Sequence, residues 1–383
     1  MTKDEQVIAI SCSDGDPRHP KTWSGTPSNI TKAIESLGIN VVSIDASVKR
    51  YQRTPLKLLH RLAGLGTDYL GGPVFRAQSA KITHRQIQAS GCTKILHASQ
   101  LGLPMPTLDA GVDHYLVCDT TRVLWAKFAS NVASCTPKML QIADQLEWES
   151  YAQIKHFFTI SEYACDNLIQ YYGIEPHRIT VVGTGRGNIQ PFTGEKDYEN
   201  GPILFVAKGR FEDKGGSLLI EGFKLAQKQN PSLKIVVVGD EQYRDVIGPV
   251  PNVTVTGYIP WEELQHLFNT AALFAMPALN EPWGLVYLEA LACKTPILGL
   301  NRNSLPEITR DGQYGFLINE PSPERIAETI LQAFSSPDKL REMGAAGQKH
   351  CLETYSWNQV ATKIVSVMLD DPISSLREKQ SYA

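Results

Sequence analysis

The sequence predicts an α/β protein built of two doubly wound, Rossmann-like domains. Two observations carry this prediction. Short apolar, β-branched runs alternate with helical stretches along the whole chain of 383 residues, and continuous apolar runs between helices are the pattern of parallel strands covered on both faces. These runs also fall into two series, parted by a polar segment dense in turn residues. The length fits two to three domains of ordinary size.

The first series reads as strands at Val7–Ser11, Val41–Ile44, Ile95–His97, Tyr115–Cys118, Phe157–Ile160 and Ile179–Val182. The second reads as strands at Ile203–Ala207, Lys234–Gly239, Val253–Thr256, Leu273–Met276, Pro296–Gly299 and Phe316–Ile318. Between them, Gly187 to Pro202 holds Gly, Asn, Pro, Asp and Thr in close succession and reads as a connection. The expected domains are therefore 1–187 and 203–356, joined by a linker at 188–202. A last helix from Trp357 to Leu369 has an apolar stripe at Val360, Ile364, Val367 and Met368, and the tail after Asp370 reads as loosely ordered.

Composition excludes several classes. A net charge of −3 argues against a general nucleic-acid binder. No apolar run approaches the ~18 residues that span a bilayer. The polar start, Met1 to Gln6, runs into a strand and does not read as a signal peptide. Seven scattered cysteines, with no C-x-x-C pair, suggest a reduced, cytoplasmic protein without structural zinc.

The stretch Glu281-Pro282-Trp283-Gly284-Leu285-Val286-Tyr287-Leu288-Glu289 is the richest in chemistry. Pro282 is tolerated at a helix entry, and Gly284 permits close approach of backbone to a ligand. The free N–H groups that follow make an anion and hydroxyl site at a helix start. Glu281 would lie at the mouth of this site and Glu289 about two turns further on. Taken alone, this could be an ordinary helix with two surface acids. The strand before it and the strand after it make a βαβ unit, with the two carboxylates at the carboxyl edge of the sheet, where open α/β folds bind ligands.

This motif and its setting resemble the retaining glycosyltransferases of GT-B fold, the group 1 (family 4-like) class that uses nucleotide-sugar donors. The resemblance is strong from Ile203 to Ser356 and readable from Val7 to Gly185. It implies two Rossmann-like domains facing each other across a cleft, with the last helix, 357–383, packing back on the first, acceptor-side domain. It implies a donor diphosphate held by Arg210 and Lys214 of Lys208-Gly209-Arg210-Phe211-Glu212-Asp213-Lys214-Gly215-Gly216; Lys208 could reach in instead of Arg210, which stands one residue nearer Lys214 than is usual. Cations and backbone donors at a glycine-containing strand end suit a diphosphate. Glu289 resembles the acceptor for the ribose hydroxyls, and a carboxylate suits a vicinal diol because it only accepts. Glu281 resembles the residue at the sugar, where it would stabilise charge at the anomeric carbon. N–H groups of Trp283, Gly284 and Leu285 would complete the cradle, and Tyr258 with Ile259 would line the base pocket.

In the first domain, Trp23-Ser24-Gly25-Thr26 resembles the glycine loop that faces the donor, with Gly25 allowing close approach and Ser24 or Thr26 donating hydrogen bonds; a turn that merely starts a helix would look the same. Asp119 ends a strand where many relatives carry a His. It could act on a sugar hydroxyl or an acceptor proton, or it could cap the following helix. His97 reads as a satisfied, semi-buried histidine. Three segments depart from the family pattern: Val182-Gly183-Thr184-Gly185-Arg186 replaces a turn containing Pro-Asn-Gly, Lys294 stands where a glycine is common, and so do Asn301, Asn303 and Ser304, although Asn tolerates the left-handed region.

The function implied is retaining, metal-independent transfer of a sugar from a nucleotide-diphosphate sugar, UDP-linked ahead of GDP-linked, to a hydroxyl on a saccharide, lipid or small molecule. The nucleotide sugar is a substrate, and no cofactor or nucleic acid is expected. The alternatives are a GT-B epimerase or phosphorylase, or a catalytically silent nucleotide-binding relative. A glycoside hydrolase fits poorly, because its two carboxyls face each other across the scissile bond. Finally, 48–62 is basic, with Lys49, Arg50, Arg53, Lys57 and Arg61 around Leu58, Leu59 and Leu62. With Pro55 in its first turn, it reads either as a helix resting peripherally on the inner membrane face or as one whose leucines pack on the sheet.

Overall fold

A computed structural model describes residues 7–103 and 111–370. The polar start and the tail beyond Asp370 lie outside the described residues. The chain forms two compact units, Met1–Gly185 with Ser356–Ala383, and Arg186–Tyr355.

The first unit holds β1 (Val7–Cys12), β2 (Asn40–Asp45), β3 (Lys94–His97), β4 (Asp113–Cys118), β5 (Ile154–Thr159) and β6 (Ile179–Val181) in one parallel sheet of order β2-β1-β3-β4-β5-β6. Its order reverses between β1 and β3, so the loops after those strands open at a topological switch point. Every run read as a strand forms one. β5 begins earlier than its apolar run suggests, at Ile154. There it pairs only with β4, while β6 joins from Phe157 onward, so Lys155 and His156 find polar partners in Asp113 and Thr180 instead of a fully covered interior.

The second unit holds β7 (Ile203–Ala207), β8 (Ile235–Gly239), β9 (Val253–Gly257), β10 (Leu273–Ala275), β11 (Ile297–Leu300) and β12 (Gly315–Ile318), in the parallel order β12-β11-β10-β7-β8-β9. The switch point falls between β7 and β10. Both central strands are buried throughout, which is why they read as unbroken apolar runs.

The helix Trp357–Met368 packs on the helix Thr26–Ser36 of the first unit. It buries Val360, Ala361, Ile364, Val365 and Met368. Val365 thus replaces the expected Val367, because a straight helical stripe is set by the 3.6-residue period. A second correction concerns the basic helix. It spans Arg50–Leu62, started by a reciprocal pair of bonds between Lys49 and Gln52, so Pro55 lies inside it and not in its first turn. Leu56 and His60 are its buried residues, while Leu58, Leu59 and Leu62 are 58%, 53% and 75% exposed. The expectation that these leucines pack on the sheet is therefore overturned.

Candidate functional site

In the second unit, β7 and β10 deliver two loops to one place. The chain leaving β7 turns at Lys208-Gly209-Arg210 and enters the helix Gly216–Gln229. Gly215, at φ 76°, starts that helix, and an added Cβ would meet the Pro277 carbonyl oxygen at 2.0 Å. Only glycine lets the two loops approach so closely. They are then clasped. The Asp213 carbonyl accepts from the backbone N–H of Leu279 (2.7 Å) and Asn280 (3.0 Å). Arg210, at φ 56°, donates from Nε to Asp213 Oδ2 (2.9 Å) and from Nη2 to the Asn280 carbonyl (2.7 Å). A left-handed non-glycine backbone costs about 1–3 kcal/mol, and these two bonds hold it.

The clasp brings Lys214 Nζ to 3.5 Å from Glu281 Oε2. Glu281 sits in the loop ahead of the helix Leu285–Ala292, which starts after Gly284 at φ 82°. Asn303, at φ 53°, donates Nδ2 to the Glu281 carbonyl (3.2 Å), and Ser304 donates its hydroxyl to the Pro282 carbonyl. The left-handed region is used at Asn303 as expected, and Lys294 adopts it too, at φ 56°. The first N–H groups of the helix have no intrahelical acceptor. The Trp283 ring turns inward and meets Tyr355 edge-on.

Glu289 is nearly enclosed, 8% exposed. Its Oε1 accepts from the Asn188 N–H at 3.2 Å. Gly187 lies against the same carboxyl; a Cβ there would stand 2.0 Å from Oε1. Burial pushes the Glu289 carboxyl up to about 7, against the pull of the Lys208 and Lys214 charges and of the Asn188 and Ile189 N–H groups. Lys214 thus pairs with one carboxylate and acts electrostatically on the other. Lys208 lies over the Trp261 ring (4.8 Å), and its carbonyl accepts from Tyr258 Oη (3.0 Å). Tyr258 is exposed and Ile259 half-buried beside it.

In the first unit, the Gly25 turn has φ 84° and precedes the helix Thr26–Ser36. Thr26 is buried and Ser24 is exposed, so of the two hydroxyls only that of Ser24 faces outward. Asp119 follows β4, half-buried, on a cleft of about 240 Å³. The helix Arg122–Phe128 is capped by Thr121, whose Oγ1 accepts from the Leu124 N–H (3.4 Å). The capping alternative for Asp119 is thereby removed. His97 is buried and stacked on His114, with 2.9 Å between Nε2 and Nδ1, and burial drives its imidazole well below the usual range.

Residues 191–350 match the family model described as glycosyl transferases group 1. A D-inositol 3-phosphate glycosyltransferase of Segniliparus rotundus is 26% identical over 350 residues, covering 85% of this chain and 74% of the relative. Over residues 191–350 the chain is a member of the group 1 glycosyl transferases. Two solved structures share its fold. One is a sucrose-phosphate synthase of Thermosynechococcus elongatus, with TM-score 0.72, 17% identity and 95% and 98% of the two chains covered. The other is Anabaena HepE in complex with UDP and glucose, with TM-score 0.65, 15% identity and 95% and 100% covered.

Within this matched segment, Lys214, Arg210, Glu281 and Glu289 are assembled around one switch point. Asp213 and Asn280, which position them, were not singled out in the sequence, and Asn303 was noted there only as a replacement for glycine. Arg210 and Asp213 stand three residues apart, and that spacing is the one local signal that could have found the pair. Among the described residues, all seven cysteines are free, no helix is long and apolar enough to cross a membrane, and no group of three or more His, Cys, Asp or Glu is placed to hold a metal ion.

Proposed function

We propose that the enzyme moves a sugar from a nucleotide-diphosphate sugar, a UDP-sugar before a GDP-sugar, to an acceptor hydroxyl with retention of configuration and without metal or cofactor. The observation that carries this reading is the Lys214–Glu281 pair at the β7/β10 switch point. A cation and a carboxylate held side by side suit a donor whose leaving group gains negative charge while its anomeric carbon gains positive charge. Lys214 and Arg210 would neutralise the departing diphosphate. Glu281 would hold a sugar hydroxyl and stabilise the anomeric carbon, and Glu289 would accept from the ribose diol. The bond from the anomeric carbon to phosphate oxygen breaks as the bond to the acceptor oxygen forms on the same face. The acceptor proton passes to the diphosphate oxygen. Asp119 would bind the acceptor.

The test is a thermal-shift screen of UDP- and GDP-sugars with the pure protein, followed by turnover in chelator. A bound donor raises apparent stability by mass action. Lys214→Ala is expected to weaken nucleoside-diphosphate binding by tenfold or more, since a charged hydrogen bond contributes about 1.5–3 kcal/mol. Unchanged affinity in that variant, or activity that returns only with added metal, would contradict the assignment. Binding without turnover would mark a silent relative.

We also propose that the helix Arg50–Leu62 rests on an anionic membrane surface. Tyr51, Leu58, Leu59 and Leu62 recur at helical spacing and all are exposed. Arg50, Lys57 and Arg61 flank that stripe, whereas Lys49 is paired to Asp45 and Arg53 donates to the Val48 carbonyl. Each cation near anionic lipid contributes about 1 kcal/mol, so neutralising Arg50, Lys57 and Arg61 together should weaken vesicle binding about a hundredfold. Sedimentation with phosphatidylserine vesicles at low and high salt reads this. No sedimentation at low salt removes the proposal.

A further inference from the structure

We propose that the cleft of the first unit takes an uncharged polyhydroxyl ring, the accepting sugar, and discriminates against a phosphorylated one. This rests on the glycosyltransferase reading and names the class of its second substrate. The cleft opens at the carboxyl ends of β1, β3 and β4 and has a volume of about 240 Å³. That is below the ~300–1,000 Å³ of drug-sized sites, and room for a single ring. Its walls bear two indoles, Trp23 from the glycine turn and Trp125 from the helix Arg122–Phe128. Indoles offer broad apolar faces to the C–H surface of a ring.

The polar lining holds four carboxyl groups beside the hydroxyls of Ser99, Thr120 and Thr121 and the amide of Gln100. Asp14, Asp68, Asp119 and Glu147 come from four different elements and loops. A carboxylate accepts and does not donate, and ring hydroxyls supply donors. Glu147 is a fixed floor: its Oε2 accepts from the Arg122 backbone N–H (2.8 Å) and from Tyr172 Oη (2.8 Å). Among the described lining residues Arg122 is the one cation. Its guanidinium lies 3.8 Å from the Trp125 ring centroid, and its Nη2 faces Cys135 Sγ and Met139 Sδ. The lining therefore carries four carboxyl groups against one guanidinium, whose Nε has no hydrogen-bond partner. Arg53 and Arg76 offset part of the charge of Asp14 and Glu147, so a phosphate monoester meets like charge chiefly from Asp68 and Asp119 in a partly desolvated space. Repulsion of this kind is how a site rejects a near-identical ligand.

The experiment measures binding of methyl glucoside, methyl mannoside, glucose 6-phosphate, mannose 6-phosphate and inorganic phosphate to the full chain. Saturation-transfer NMR and tryptophan fluorescence read it, with a UDP-sugar titrated in parallel. A neutral glycoside should bind, with its phosphorylated counterpart at least about tenfold weaker, and the gap should narrow in high salt and in Asp68→Asn or Asp119→Asn. Equal or tighter binding of the phosphorylated sugars, lost in Arg122→Gln, overturns the proposal. So does binding of none of the sugars. If the UDP-sugar still binds and turns over in those cases, the glycosyltransferase reading stands and only the acceptor class falls. If the UDP-sugar also fails, the fault lies in that reading.

Discussion

Glu281→Gln should lower sugar transfer by about two to three orders of magnitude, the effect of deleting one preorganised electrostatic group. Donor affinity should not fall with it. Glu281 pairs with Lys214 at 3.5 Å, so removing its charge frees the lysine for the diphosphate, and nucleotide binding should hold or tighten. The substitution keeps the shape of the side chain. It also leaves the Glu281 carbonyl, which accepts from Asn303, untouched. A merely structural role predicts the opposite pattern, with melting temperature, nucleotide affinity and rate declining together. Isothermal titration with nucleoside diphosphate, beside single-turnover transfer, separates the two. Normal turnover in this variant removes Glu281 from the chemistry.

The sheets were legible because their signal is local. A strand buried on both faces must be apolar at every position, and Ile203–Ala207 is buried throughout. The Lys-Gly loop was legible for a related reason, since a glycine that nearly touches Pro277 admits no other residue. The pairing of Lys214 with Glu281 was not legible, because it arises from backbone bonds to the Asp213 carbonyl, and a carbonyl is common to every residue. The basic helix shows a different failure. Two apolar sets compete on it, and periodicity defines faces without saying which one turns in. Leu56 and His60 turn in, with His60 Nε2 at 3.2 Å from the Leu65 carbonyl, and the larger leucine stripe is left outside. Asp119 was ambiguous from sequence because a strand-end carboxylate serves capping and binding equally well. The hydroxyl of Thr121, two residues on, settles which residue caps.

Donor affinity should rise with pH and level off above about 7, the value to which burial lifts the Glu289 carboxyl. In the free protein this carboxyl keeps its proton over a range where the unfolded chain, titrating near 4.5, has lost it. The folded state then binds more protons than the unfolded one, so folding stability falls as pH rises from about 4.5 to about 7 and is flat beyond. Ligand binding has the opposite sign. Ribose hydroxyls donating to Glu289 favour its charged form, so a donor expels the proton. Each pH unit below the carboxyl's own value should therefore weaken binding by up to about tenfold. A UDP-sugar is the right probe, because its diphosphate is diesterified and carries no group titrating in this range. Calorimetry in buffers of different ionisation enthalpy should detect release of up to about one proton per donor bound near pH 6, and almost none above about pH 8. Glu289→Gln should abolish both the slope and the release, at the cost of a permanently weaker site. A slope that persists in Glu289→Gln would assign the titration to another group, and a flat profile in the unmodified enzyme would mean the ribose does not meet Glu289.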